Sequence, residues 1–278
     1  MVRPDKGQKI MDVGARSVKS IRALERGLDV LQVLRTGSAM GLKDLHAVTG
    51  LPKATLLRIL KTMKERNLVW QRLADGAYLL SRRFPGSDGA TDRVPGLVEV
   101  AAPIMAALCE TVNWPSVLAV RAGSQMEVIE TNRPRSLAPH FPLGPVGASV
   151  NMLLSATGRT YFSYCGDDER DEIVALLKAS GRVHDRHADD PVWLAGLVAR
   201  TRAQGYGLRD PSFSDDGRNS IGVPVIVDGQ VAAILNLTWA RRVASEEHIV
   251  GRHLADMRSA AAAMAEQLNV LKTRRTDQ

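Results

Sequence analysis

Within the ten residues from Lys53 to Thr62 stand Lys53, Ala54, Thr55, Arg58, Lys61 and Thr62, with Lys64 just beyond. These side-chain types suit one chemistry. Short polar groups and an arginine near the start of a helix can reach base edges in the major groove of duplex DNA, while lysines neutralise the phosphates alongside. Leu57, apolar on the same outward side, is placed to meet a thymine methyl. Lys43 adds a cation upstream, and Arg72 adds one downstream near the DNA backbone or minor groove.

Such groups read DNA only if the chain presents them on one face, and the surrounding pattern predicts that. Leu42, Leu45 and Val48 recur at helical spacing in a short first helix, with Gly50 to turn its C-terminus. Pro52 suits the first position of a second helix, in which Leu56, Ile59, Leu60 and Met63 share a buried side. Val69 to Leu73 and Ala77 to Leu80 flank Asp75-Gly76, a hairpin-turn dipeptide. A preceding helix from Ile21 to about Leu34, with Ser20 as N-cap and Leu24, Leu28, Leu31 and Leu34 inward, completes a three-helix core. This is the outline of a winged helix-turn-helix. The alternative, an amphipathic pair with a merely solvated basic face, accounts for the helices but not for their agreement with the glycine turn, the proline and the hairpin.

Charge is distributed accordingly. Residues 1–84 hold 17 Lys+Arg against 7 Asp+Glu, leaving 20 against 23 for the rest of a chain whose net charge is +7. A field concentrated in one segment gathers DNA through counterion release. A membrane-surface helix would need aromatic residues along a basic amphipathic face, and aromatics make up only 4% of the chain. No apolar run reaches spanning length, and the first 19 residues lack the apolar region of a signal peptide. Cys109 and Cys165 are isolated, without metal or redox spacing. The expected location is a reducing cytoplasm.

The expected division is a disordered arm over 1–19, a DNA-binding domain over 20–84, a linker and dimerisation helix within 85–112, an effector-binding domain over 113–270 and a tail over 271–278. Phe84 to Gly89 marks the first boundary by composition. Val94 to Val112 reads as a helix with Val98, Ala101, Ala102, Met105, Leu108 and Cys109 on its apolar side; it suits a core helix as well as a connecting one. Paired strands are expected around Gly123-Ser124 and around Asp228-Gly229, with helices near 153–165, 168–179, 191–204 and 245–268. The fold class is α+β, an antiparallel sheet with helices set to one side.

Other constellations are weaker. His184, Asp185, His187, Asp189 and Asp190 include metal-ligand types, but in a polar segment that reads as a solvated loop, so no metal is expected. Asp167-Asp168-Glu169 suits a helix start. No glycine pattern cradles phosphates, so no nucleotide cofactor is expected. Ser155 lacks a nucleophile elbow, so no catalytic residue is assigned; a hydrolase with an appended DNA-binding domain remains a rival reading, as does an architectural DNA binder with no effector.

Several stretches, in order from Ser17 to about Leu268, resemble the IclR family of bacterial transcriptional regulators. Leu51 to Leu60 resembles that family's recognition helix, Val100 to Pro103 its linker helix, Leu154 to Arg159 the start of its pocket helix, and Gly217 to Val225 the strand entering the pocket. The resemblance implies a winged helix-turn-helix joined to a GAF-like effector-binding domain, with dimers or tetramers on paired operator half-sites and with RNA polymerase as a further partner of an activator. Trp114-Pro115, Leu137 to His140 and Asn236-Leu237 resemble the branch that controls breakdown of aromatic acids. By matching position the resemblance implies effector contacts at Ala156, Thr157, Asp210 and Ser220. Ser220 stands where many members carry Cys, and Ala156 where many carry Gly. His140 or Arg135 can offset the charge of an acid, and amides at the helix start near Ser155 can receive its carboxylate. The expected effector is a small, aromatic organic acid controlling a catabolic operon.

Overall fold

The computed structural model describes residues 21–35, 39–66, 68–80, 96–134 and 143–276. Ser20, Asn67, Arg135, His140 and the 1–19 arm lie outside the described residues.

Three helices, α1 (Arg22–Leu34), α2 (Leu42–Thr49) and α3 (Lys53–Glu65), precede a two-stranded wing of β1 (Val69–Gln71) and β2 (Tyr78–Leu80). Their core is aliphatic: Val30, Leu34, Leu45, Leu56, Leu60, Met63 and Val69, closed by Tyr78. Gly50 ends α2 at φ 67, the left-handed conformation that glycine adopts without strain. Pro52 is the N-cap of α3 rather than its first residue; its fixed φ, here −55, still feeds the chain into the helix.

Two expectations for this core are corrected. In α1 the buried residues are Val30 and Leu34, whereas Leu24 and Leu28 are 57% and 49% exposed. Helical period is shared by both stripes, and the packing of α1 against α2 and β2 selects the one nearer its C-terminus. The N-cap of α1 is Ile21, which makes no side-chain cap bond. In α2, Leu45 alone is fully buried and Val48 is exposed, because a helix of eight residues meets α3 along a single line.

The second region is a six-stranded antiparallel sheet in the order β5-β4-β3-β8-β7-β6. Its strands are β3 (Ser116–Ala122), β4 (Gln125–Asn132), β5 (Ser149–Asn151), β6 (Gly207–Leu208), β7 (Arg218–Val227) and β8 (Gln230–Ala240). Helices α4 (Leu97–Val112) and α8 (Glu246–Thr276) cover one face. Helices α5 (Ala156–Tyr164), α6 (Asp167–Ser180) and α7 (Pro191–Gln204) cover the other.

Helices therefore lie on both faces, not on one. The central strands require it: Val117 to Val120 in β3 and Ala233 to Trp239 in β8 are buried without alternation, so each face must be covered. β5 and β6, too short for a periodic signal, were absent from the sequence expectation. The helix α4 begins at Leu97 and is built into this core through Leu97, Val100, Ala101, Met105, Leu108 and Val112. α8 continues through residues 271–276, where a tail was expected. Among the described residues no helix is long and apolar enough to cross a membrane.

Candidate nucleic-acid interface and ligand-sensing site

On α3 the buried Leu56, Leu60 and Met63 fix which residues face outward. Lys53, Ala54, Leu57, Arg58, Lys61 and Thr62 are exposed, and Thr55 is half-buried. Among the described residues the cations are little engaged: Lys61 meets Glu65 at 3.8 Å with both groups exposed, a contact worth little, and Lys64 donates to Gln71 Oε1 at 3.1 Å. The Thr62 hydroxyl donates to the Arg58 carbonyl at 3.1 Å. Lys43 is exposed on α2, one residue from Asp44, whose carboxylate accepts from the Gly41 N–H at 3.1 Å and so secures the helix entry.

The wing differs from its expected form. Leu73 leaves the strand, and the chain turns through 72–77, with the Arg72 N–H donating to the Ala77 carbonyl at 2.8 Å. The Arg72 guanidinium is engaged by Asp75, its Nε at 3.0 Å from Oδ1. That hydrogen bond is the main reason why the Arg72 pKa lies above its ordinary value, against the opposing effect of burial.

The residues expected to contact an effector converge from separate elements. Ser155 is the N-cap of α5: its hydroxyl accepts from the Gly158 N–H at 2.9 Å and donates to the Asn151 carbonyl at 2.6 Å. Ala156 and Thr157 follow, both buried. As the first two helical positions, their N–H groups have no intrahelical carbonyl to meet. Asp210 lies beside them, its N–H donating to the Leu154 carbonyl at 2.8 Å. Its carboxylate accepts from the Ser212 N–H and hydroxyl at 2.9 and 2.6 Å and pairs with Arg159. Burial would push the Asp210 carboxyl up, but these partners hold it below its ordinary value. Arg159 is also anchored to the Leu153 and Leu208 carbonyls at 2.8 and 3.2 Å.

Ser220 comes from the sheet. Its strand neighbour Ile221 points into the α4/α8 core, so Ser220 and Gly222 face α5. Register puts Thr238 opposite Ser220 and Asn236 opposite Gly222. Thr160 of α5 donates to the Gly222 carbonyl at 3.1 Å, which brings this patch under the helix start. Asn236 Nδ2 donates to the Thr238 hydroxyl at 2.9 Å, while the buried Oδ1 of Asn236 has no partner among the described residues. Arg159 and Thr238 were not assigned from sequence, and Asn236 entered only through resemblance. A 2.0 residue period near a helix N-terminus was the available signal for the last two.

The segment holding His184 and His187 is a 3-10 helix, Val183–Asp189, rather than a solvated loop. Asp185 is buried, accepting from Asn151 Nδ2 at 2.9 Å and the Ser180 hydroxyl at 2.7 Å. His187 stacks on Trp193 with ring centroids 4.3 Å apart, and Asp190 caps α7. Among the described residues no three His, Cys, Asp or Glu side chains are grouped to hold a metal ion.

A three-helix winged unit with an outward cationic helix, joined to an antiparallel sheet domain, is the architecture of a DNA-binding regulator. Residues 23–72 match the family model of the IclR helix-turn-helix domain, and residues 91–266 match that of the bacterial transcriptional regulator IclR C-terminal domain. The chain belongs to the IclR family of DNA-binding transcriptional regulators. It is 26% identical to the acetate operon repressor of Salmonella typhimurium over 210 residues, 74% of this chain and 75% of that one. It is 25% identical to the HTH-type transcriptional regulator BhcR of Paracoccus denitrificans over 233 residues, 81% of this chain and 80% of that one. The IclR structure of Thermotoga maritima shares the fold with a TM-score of 0.55 at 14% identity, covering 89% of this chain and 99% of that one. An IclR homologue from Microbacterium hydrocarbonoxydans, complexed with 4-hydroxybenzoate, does so with a TM-score of 0.52 at 21% identity, again covering 89% and 99%.

Proposed function

We propose that this protein acts in the cytoplasm as a regulator rather than an enzyme, and that a small hydroxylated aromatic acid alters its affinity for the operator of a catabolic operon. The observation that carries the effector class is the pairing of two opposite needs on one face. The Ala156 and Thr157 amides at the start of α5 suit a carboxylate, while the Asn236 Oδ1, without a partner among the described residues and flanked by Thr238 and Ser220, suits a donor such as a phenolic hydroxyl. Asp210 sits beside that helix start with its charge offset by Arg159. The 4-hydroxybenzoate bound by the Microbacterium homologue has both groups.

On the DNA side, Lys53, Ala54, Thr55, Leu57, Arg58 and Thr62 read the major groove, while Lys43, Lys61 and the wing residue Arg72 hold the backbone. RNA polymerase is a partner where the operator position makes the protein an activator. A homodimer supplies paired readers, and the exposed stripe of Ile21, Leu24 and Leu28 on α1 suits a second copy. A further pairing of such dimers gives the tetramer.

Isothermal calorimetry with 4-hydroxybenzoate, benzoate and acetate tests the effector reading. The hydroxy acid should bind tightest, and Asn236→Ala should reduce its advantage over benzoate to nothing. Binding of none of the three, with operator affinity indifferent to all of them, sinks it in favour of an architectural binder.

A further inference from the structure

Glu130 belongs to β4 of the sheet domain, yet two of the donors to its carboxylate come from the wing. Its Oε2 accepts from the Leu73 N–H at 2.9 Å, and its Oε1 from the Ala74 N–H at 2.9 Å and the Thr131 N–H at 2.8 Å. Glu130 is fully buried, and the Leu73 side chain packs against the α4/α8 core. A buried carboxylate is costly unless its oxygens are bonded, so removing the wing would leave this one short of two of its three donors.

The backbone is shaped for this contact. In the β3–β4 pairing Leu118 opposes Glu130 but Ala119 opposes Val128, so Ile129 is an extra residue. Opposed residues share a face, and Leu118 lies in the α4/α8 core while Ala119 lies in the α5–α7 core. Regular alternation from Val128 would send Glu130 toward α5; the bulge turns it to the face where the wing docks. The same strand pairs with β5, whose Asn151 accepts from the Leu153 and Leu154 N–H groups at 2.9 and 2.8 Å at the entry to α5. Glu130 is therefore on the strand next to the one that seats the candidate effector site.

We propose that Glu130 is a latch holding the wing tip against the sheet domain, and that the latched form engages DNA weakly because its turn backbone is committed to the sheet domain and the small domain is held in one orientation. This rests on the reading of the wing as a DNA-contacting element. Release returns the Leu73 and Ala74 N–H groups to the wing surface and lets the small domain reorient, so any ligand that binds the released arrangement better raises DNA affinity by mass action.

The test compares the full-length protein with Glu130→Gln, which keeps the shape but replaces one acceptor oxygen by a donor, and with Leu73→Ala, which loosens the same contact from the wing. Hydrogen exchange read by mass spectrometry should accelerate about tenfold or more at the 72–77 turn in both, with the β7–β8 hairpin unchanged. Binding to a random-sequence duplex should tighten about threefold to tenfold, with the salt slope steepened by about one phosphate contact. Unchanged exchange at the turn in both variants overturns the latch. Faster exchange with duplex binding unchanged or weakened overturns the sequestration and leaves the latch standing. Faster exchange in proteins that show no salt-dependent duplex binding at all overturns the reading of the wing as a DNA contact.

Discussion

The DNA-reading domain and the sheet domain treat polar groups in opposite ways. On α3 the cations stand exposed with almost no internal partners, over a small aliphatic core. In the sheet domain Ser155, Thr160, Asp185 and Asn236 are buried, and Arg159 and Asp210 form a partly covered ion pair. On the proposed function the contrast follows from the size of what each region binds. A duplex covers a whole helix face and supplies its own charge, so the protein leaves that face wet. A small molecule offers few groups, so a site for one must be largely built and satisfied beforehand.

Substitutions should therefore cost stability in one region and recognition in the other. The largest effect is expected at Gly158, in the first turn of α5. A Cβ there would overlap the Met152 carbonyl oxygen and come within 2.5 Å of that of Asn151, both backbone atoms. Gly158→Ala should cost about 3 kcal/mol of sheet-domain stability in denaturant unfolding, with the winged domain unaffected. A loss under about 1 kcal/mol would mean that the helix start is looser than described.

Next is Arg58→Ala, expected to leave stability unchanged while removing about 1–3 kcal/mol of discrimination between operator and random duplex. Equal losses on both duplexes in a titration would reassign Arg58 to a phosphate. Leu28→Glu puts a charge into the α1 stripe and should weaken self-association at least about tenfold, some 1.4 kcal/mol, by sedimentation. An unaltered dimer would place the interface elsewhere.

The smallest effect is at Asp216 in the sheet domain. Burial alone would push its carboxyl up, but hydrogen bonds from Arg218 and Arg209 outweigh it and hold it down at about 2. A depressed acid adds stability that is fully present above roughly pH 4 and is lost as pH falls toward the folded value. Asp216→Asn should cost about 1 kcal/mol at neutral pH, allowing for its partial exposure, and flatten the stability profile between those limits. An unchanged acid limb in pH-dependent unfolding would break the assignment.

The winged unit was legible in the order of residues because its signals are local. Gly50, Pro52, the apolar period of α3 and Asp75-Gly76 each act within a few neighbours, and in the folded protein the wing departs from expectation mainly where Leu73 leaves the strand for the sheet domain. Local period could not choose between the two apolar stripes of α1, since burying Val30 and Leu34 while exposing Leu24 and Leu28 depends on where α2 and β2 lie. The same holds for the candidate site. Ser155 announced a helix start, and family resemblance singled out Thr157 and Ser220, but Thr238 and the Asn236 side chain meet them only through strand register. Glu130 was silent altogether: a one-residue bulge at Ile129 sets its direction, and its wing partners lie 56 and 57 residues earlier in the chain. Turns, caps and amphipathic faces are short-range physics written residue by residue; which faces meet, and what is left unpaired where they do, emerges only when distant segments pack.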